Sequence, residues 1–297
     1  MHRHDWNELP DGVRAAVREL CGEIVHVDAS TVGRNSAFAA NLRVANGDRV
    51  FCKGVLIGTD VTRMHRREAH VNGSMPSTRA PRLLWDVEVD GWLLLGLEHI
   101  AGRHADLTPG SPDLPVITES LSTLVRDLTP TPTPRVPDLS AKWNRVRPWR
   151  SLRDDRPAAL DAWTHAHLAQ FAAEEPVAAE FVAGNTLAHT DVHEHNMLVR
   201  DASAYLVDWA WAHVAAAWVD AAYLVIRLIQ AGHSPASAER WAATTPSWLA
   251  APSAAVDAFA VETYGMWEYL RHIDPRPIRE APTRAARQWA QYRRSER

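Results

Sequence analysis

Cysteine is nearly missing. The 297-residue chain holds two, Cys21 and Cys52, which excludes a disulfide framework and fits a reducing compartment. A basic excess is missing too. Lys and Arg number 32 against 36 Asp and Glu, for a net charge of -4, too little positive charge to hold a nucleic-acid backbone. The opening residues, Met1-His2-Arg3-His4-Asp5, lack the apolar centre of a signal peptide. No run is long and apolar enough to span a bilayer; the longest candidate, Ala215 to Ile229, carries Asp220 and Arg227. These absences lead us to expect a cytoplasmic protein with neither nucleic-acid nor membrane partners, as a monomer or weak homodimer. What is present is ordinary for a globular chain, 46% apolar and 23% charged, enough for one large domain or two of common size. Thirteen tryptophans and fifteen histidines stand out.

The hydrophobic pattern changes once along the chain. Asp11 to Leu20 has helical spacing; Glu23 to Ala29, Ala37 to Val44 and Arg49 to Val55 read as strands. Asn46-Gly47 predicts a two-residue hairpin turn, and Asp90-Gly91 predicts another between strands Leu83 to Val89 and Trp92 to Leu97. A polar helix, Asp60 to Val71, lies between the two hairpins. After Gly102 the periodicity turns helical, over Ile117 to Leu128 and Ala158 to Ala173. Thr186 to Asp208 reads as short strands around a polar loop. Three or four helices follow Trp218, broken near Ser234-Pro235, Thr245-Pro246 and Pro275 to Pro277. The pattern predicts an α+β chain: a strand-rich region over residues 1–99 and a larger helical region over 100–297.

The most informative segment runs from Leu187 to Val199. It holds His189, Asp191 and Asn196 in a polar loop with apolar flanks, and Asp208 ends a buried strand shortly after. Phosphoryl transfer uses this kit: a carboxylate for the proton of an attacking hydroxyl, and an amide with a second carboxylate to hold magnesium. Upstream, Lys53 stands on an apolar strand, where an unpaired ammonium is costly. Glu68, on the next helix, is a candidate partner. The turn-rich stretch Ser30 to Ser36, with Gly33, is a candidate phosphate loop.

His189-x-Asp191-x4-Asn196, then Asp208-Trp209, then Asp220 resemble the aminoglycoside phosphotransferase family, over roughly residues 20 to 270. The resemblance implies a two-lobed protein-kinase-like fold, with a small antiparallel-sheet N-lobe for nucleotide and a larger helical C-lobe for the acceptor. It implies transfer of the ATP γ-phosphate, with Mg2+, to a hydroxyl of a small molecule such as an antibiotic, an amino alcohol or a sugar. Asp191 would be the catalytic base and His189 its brace. Asn196 and Asp208 would be the magnesium ligands. Lys53 would contact the phosphates, with Glu68 as partner and Gly33 and Ser36 in the covering loop. Glu98 to Ile100 would bind adenine through the backbone, and Asp220 would anchor the helical lobe. The chain departs from the family pattern: Thr190 replaces a usual Gly, Ala215-Ala216-Ala217 replaces a usual Gly-Asp-Pro stretch, and the phosphate loop is glycine-poor. These departures motivate an alternative, a catalytically weak nucleotide-binding protein with a regulatory role.

Other readings compete at single residues. His189, His193 and His195 invite a zinc site, though without a complete ligand pattern. His193 and Glu194 are candidates for a substrate-facing rim. Trp163, Trp218, Trp241 and Trp267 suit helix packing, whereas Trp209 and Trp211 are candidates for lining the site. Glu262 and Glu268 either face a cationic substrate or lie on a solvated helix face.

Overall fold

The computed structural model describes residues 2–30, 33, 35–76 and 79–295. Helix α1 (Asp11–Cys21) precedes strands β1 (Ile24–Ala29), β2 (Phe38–Val44) and β3 (Arg49–Leu56). Helix α2 (Thr62–Gly73) leads to β4 (Leu83–Val89), β5 (Trp92–Glu98) and the short β6 (Arg103–His104). Helices α3 (Asp113–Asp127), α4 (Leu139–Val146), α5 (Pro148–Asp155) and α6 (Ala162–Phe181) follow. Four short strands come next: β7 (Thr186–Ala188), β8 (Met197–Arg200), β9 (Ser203–Leu206) and β10 (His213–Ala215). The chain ends in α7 (Val219–Gln230), α8 (Pro235–Ala242), α9 (Pro246–Leu249), α10 (Ser253–Ile273) and α11 (Glu280–Ser295). The fold is α+β, an antiparallel sheet followed by a helical part. Among the described residues no helix is long and apolar enough to cross a membrane.

Two compact units partition the chain, residues 1–104 with 195–212, and residues 105–194 with 213–297. The first holds an antiparallel sheet of order β1-β2-β3-β5-β4. Asp90 and Gly91 both take positive φ, 49° and 75°, which is the type I′ turn expected there. The other hairpin differs from expectation. Its connection spans the four residues between Val44 and Arg49, and of these only Gly47 has positive φ, at 94°. The Asn46 side chain accepts the Asp48 backbone N–H at 2.9 Å, an Asx turn.

The strand pleat decides what each face buries. Phe38, Ala40, Leu42, Val50, Cys52, Trp92 and Leu94 share one face and pack with Val13 and Val17 of α1. Val55, Leu93 and Leu95 share the other, against Ala69 of α2. Lys53 alternates with Cys52 and so falls on the α2 side, where it is buried.

The second unit is mostly helical. Trp149 of α5 meets Phe171 of α6 and Tyr264 of α10, with ring centroids 4.8 and 5.3 Å away. A Cβ at Gly265 would lie 2.4 Å from that indole, so close approach of α10 to α5 requires glycine. Helix α6 starts later than the predicted Ala158 and runs on past Pro176 to Phe181. Its start follows from a cap: the Asp161 carboxylate accepts the Thr164 backbone N–H at 3.1 Å. Helices α4 and α5 were not expected, because eight residues each give too little periodicity to register. Pro235 and Pro246 each open a helix, where proline's missing N–H costs nothing.

Candidate active site

In the first unit three charged groups converge. Lys53 Nζ lies 2.5 Å from Glu68 Oε2 and 3.0 Å from Asp208 Oδ1. Lys53 comes from β3, Glu68 from the buried face of α2, and Asp208 from the turn after β9. Burial opposes the Lys53 charge, but the carboxylates of Asp208 and Glu68 hold its pKa above the ordinary lysine value. Burial pushes the Glu68 carboxyl up to about 7, against the pull of the Lys53 ammonium. Asp208 has φ 67° and ψ 63°, left-handed backbone that aspartate tolerates better than most residues.

Asn196 reaches the same region through a hairpin. β8 and β9 pair with Met197 opposite Leu206, and the Asn196 carbonyl accepts the Val207 N–H at 2.9 Å. That register sets Asn196 opposite the residue before Asp208. Asn196 is buried. An amide and a carboxylate at the open end of one hairpin form a pair of hard oxygen donors, the donor type magnesium takes.

In the second unit a loop leaves β7, which is paired with β10. Asp220, in the first turn of α7, accepts the backbone N–H groups of His189 and Thr190, each at 2.8 Å. Burial raises the Asp220 pKa, and these donors and His189 lower it. The Asp191 N–H donates to His189 Nδ1 at 3.2 Å, so a fully buried histidine braces the residue two positions on. Thr190 has φ 57°, a region a β-branched residue rarely enters. Its Oγ1 is 3.0 Å from His213 Nδ1 on β10. The resemblance implied glycine at this position, and the backbone angle supplies the reason. His193 Nε2 stands 3.8 Å from Asp191 Oδ2.

The remaining expected residues make the following contacts. Ser36 Oγ is 3.1 Å from His65 Nε2. The Gly33 carbonyl, at a residue with φ 86°, accepts from Arg3 Nη2 at 3.0 Å. Of the expected phosphate loop, Thr31, Val32 and Arg34 lie outside the described residues. Glu98 pairs with Arg82 at 3.2 Å, and the Ile100 carbonyl accepts the Gly102 N–H at 2.9 Å.

Sequence reasoning missed His65, whose pKa is pushed down to about 4 by burial and by the Lys53 charge. A signal existed: His65, Glu68 and Asn72 recur at helical spacing and are all buried, a polar seam where α2 should be apolar. Arg227 was noticed only as a charge inside an apolar run. It lies two turns along α7 from Asp220, where burial lowers its pKa and the carboxylates of Asp191 and Glu194 raise it.

Three other expectations change. Among the described residues, His189, His193 and His195 do not form a cluster with metal-ligand spacing. Trp209 is buried and donates Nε1–H to the Leu206 carbonyl at 2.8 Å, so it packs rather than lines a site. Glu262 and Glu268 are buried, not on a solvated helix face. Glu268 is bound by Arg271 at 2.6 Å and by the Tyr264 hydroxyl at 3.0 Å.

A sheet carrying a buried Lys–Glu pair and a helical part with a histidine-braced aspartate loop are the parts that kinase-type phosphoryl transfer uses. The phosphotransferase enzyme family model matches residues 41–253, and the chain belongs to that family. By that membership it is a phosphotransferase enzyme.

Solved structures share the fold at low identity. A choline/ethanolamine kinase family protein from Mesorhizobium loti has a TM-score of 0.58 at 13% identity, covering 94% of this chain and 92% of its own. A macrolide 2'-phosphotransferase from Brachybacterium faecium gives 0.57 at 13%, with coverages of 91% and 95%. An amicoumacin kinase in complex with AMP-PNP, Ca2+ and Ami gives 0.56 at 9%, with coverages of 95% and 94%. No curated protein sequence matches closely enough to count as a relative.

Proposed function

We propose that the protein transfers the γ-phosphate of ATP to a hydroxyl of a small molecule in the cytoplasm. The carrying observation is the meeting of Lys53, Glu68 and Asp208, with Lys53 and Asp208 155 positions apart in sequence. Burying the Lys53–Glu68 pair carries a cost in desolvation, and a strand lysine paired with a helix glutamate is the arrangement that sets a lysine on nucleotide phosphates. The fold's likeness to an amicoumacin kinase in complex with AMP-PNP and Ca2+ supports a nucleotide and a divalent ion.

In this reading Lys53, oriented by Glu68, neutralises phosphate charge. Asn196 and Asp208 would hold Mg2+, and their oxygen donors fit it. Bound there, the ion would supply charge neutralisation on the β- and γ-phosphates. The loop from Ser30 to Ser36, with Gly33 and Ser36, would cover the phosphates, and Glu98 to Ile100 would present backbone groups to adenine. Asp191, held by His189, orients the acceptor hydroxyl and takes its proton as the new O–P bond forms. The bond from phosphorus to the bridging oxygen breaks, and its electron pair leaves with ADP. His189 and Asp220 position the loop without touching the reacting atoms.

Fold and kit do not choose the acceptor. The names of the similar structures, a putative fructosamine-3-kinase from Thermobifida fusca among them, support a hydroxylated antibiotic, an amino alcohol or a sugar derivative as acceptor. The test is ADP release from Mg-ATP against macrolides, aminoglycosides, amicoumacin, choline and ethanolamine. Asp191→Asn should abolish acceptor-dependent release and keep nucleotide affinity by calorimetry. Near-wild-type turnover in that variant would overturn the assignment of Asp191.

A further inference from the structure

The phosphotransferase reading leaves the first eight residues without a role, yet they carry a metal-ligand set. His2, His4 and Glu8 each offer one ligand atom, and all three atoms lie within 4.8 Å of one another. We propose that these residues form a binding site for a zinc-class divalent cation at the N-terminus.

The segment is held in place at several points. The His4 backbone N–H donates to the Ala37 carbonyl at 2.7 Å. The His4 ring meets Trp92 edge to face, with centroids 5.3 Å apart, and meets the His2 ring at 4.7 Å. Arg3, between the two histidines, donates to the carbonyls of Ser30 at 2.6 Å and Gly33 at 3.0 Å. Glu8 is fixed by a capping box, its Oε2 accepting the Asp5 N–H at 2.8 Å. A ligand set organised before the ion arrives forfeits less side-chain entropy on binding.

The donor set chooses the ion. Two imidazole nitrogens and one carboxylate oxygen suit zinc and its neighbours in the first transition row. Magnesium and calcium prefer all-oxygen sites. Tetrahedral zinc bonds of about 2.0–2.2 Å require donor atoms somewhat over 3 Å apart, so modest side-chain rotations close the set. His2 is exposed, so its ring can turn toward the ion while Glu8 keeps its bond to the Asp5 N–H. Three protein ligands leave a fourth position for water.

The test uses the full-length chain without an affinity tag, titrated with ZnCl2 by calorimetry in the absence of nucleotide and magnesium. Wild type should bind one zinc per chain. His2→Ala, His4→Ala and Glu8→Gln should each weaken binding by roughly tenfold or more, since each removes one donor. Cobalt substitution should give the ligand-field absorption of a four-coordinate N/O site in wild type, lost in Glu8→Gln. Glu8 and His2 are surface positions, so those variants keep the test valid if loss of the His4 ring against Trp92 harms folding. His195→Ala is the control, because His104 and His195 form another close pair of rings, 5.3 Å apart. It should leave zinc affinity unchanged. No zinc bound by wild type, wild-type affinity in His2→Ala and Glu8→Gln, or loss of binding in His195→Ala would each overturn the site. None of these readouts depends on phosphoryl transfer.

Discussion

Lys53 Nζ and Glu68 Oε2 meet at 2.5 Å, at relative exposures of 6% and 0%. The pleat of β3 turns the lysine to the α2 side, and the polar seam of α2 brings the glutamate to it. A pair this dry is weak evidence for stability by itself, because desolvation offsets most of the attraction. Breaking it is another matter.

Lys53→Met leaves the carboxylates of Glu68 and Asp208 facing each other without their cation. We expect it to cost about 3–5 kcal/mol, the range for unpairing a buried charge, read by urea denaturation. Lys53→Met combined with Glu68→Leu should recover most of that loss and still show no turnover. A double variant as unstable as the single one would mean the pair is not what holds this region together.

Thr190 carries left-handed backbone that costs a residue with a Cβ about 1–2 kcal/mol. Thr190→Gly relieves that strain, gives up the hydroxyl contact with His213, worth about 0.5–1.5 kcal/mol, and adds glycine's entropy cost of about 0.5–1 kcal/mol. The terms nearly cancel, so stability should stay within about 1 kcal/mol of wild type. Thr190→Val keeps the strain and loses the same hydroxyl contact without relief, and should cost about 0.5–1.5 kcal/mol. Chemical denaturation of the two variants side by side checks the order; a valine variant as stable as the glycine one contradicts it.

Glu262 is 2% exposed, and burial, with Glu175 nearby, raises its pKa well above the usual carboxylate range. Its folded-state pKa exceeds its unfolded value, so the folded state keeps a proton that the unfolded chain loses. The associated stability is complete below the unfolded value of 4.5 and declines as pH climbs toward the folded one. The slope is at most about 1.4 kcal/mol per pH unit. Glu262→Gln, which stays neutral, should match wild type near pH 5 and melt higher at pH 8. Thermal melts at the two pH values decide it; equal melting temperatures at pH 8 would show that Glu262 is not the group responsible.

Much of this was legible in the chain itself. The five strands of the sheet, α1, α2 and the proline-marked helix starts follow from periodicity and turn residues, because each is local. The spacing of His189, Asp191 and Asn196 marked the loop, and the lone lysine on an apolar strand asked for a partner. What stayed hidden depends on contacts distant in sequence. Nothing around His213 points to Thr190, and nothing near Glu8 points to His2 until the turn at Trp6 folds it back. Eight-residue helices such as α4 and α5 are set by packing around Trp143 and Trp149, both buried, rather than by their own pattern.

Asp220 grips two consecutive peptide groups of the loop from the first turn of α7. With both carboxylate oxygens engaged, helix and loop behave as one lever. A shift in the first turn of α7 therefore displaces the His189 and Thr190 backbone with it.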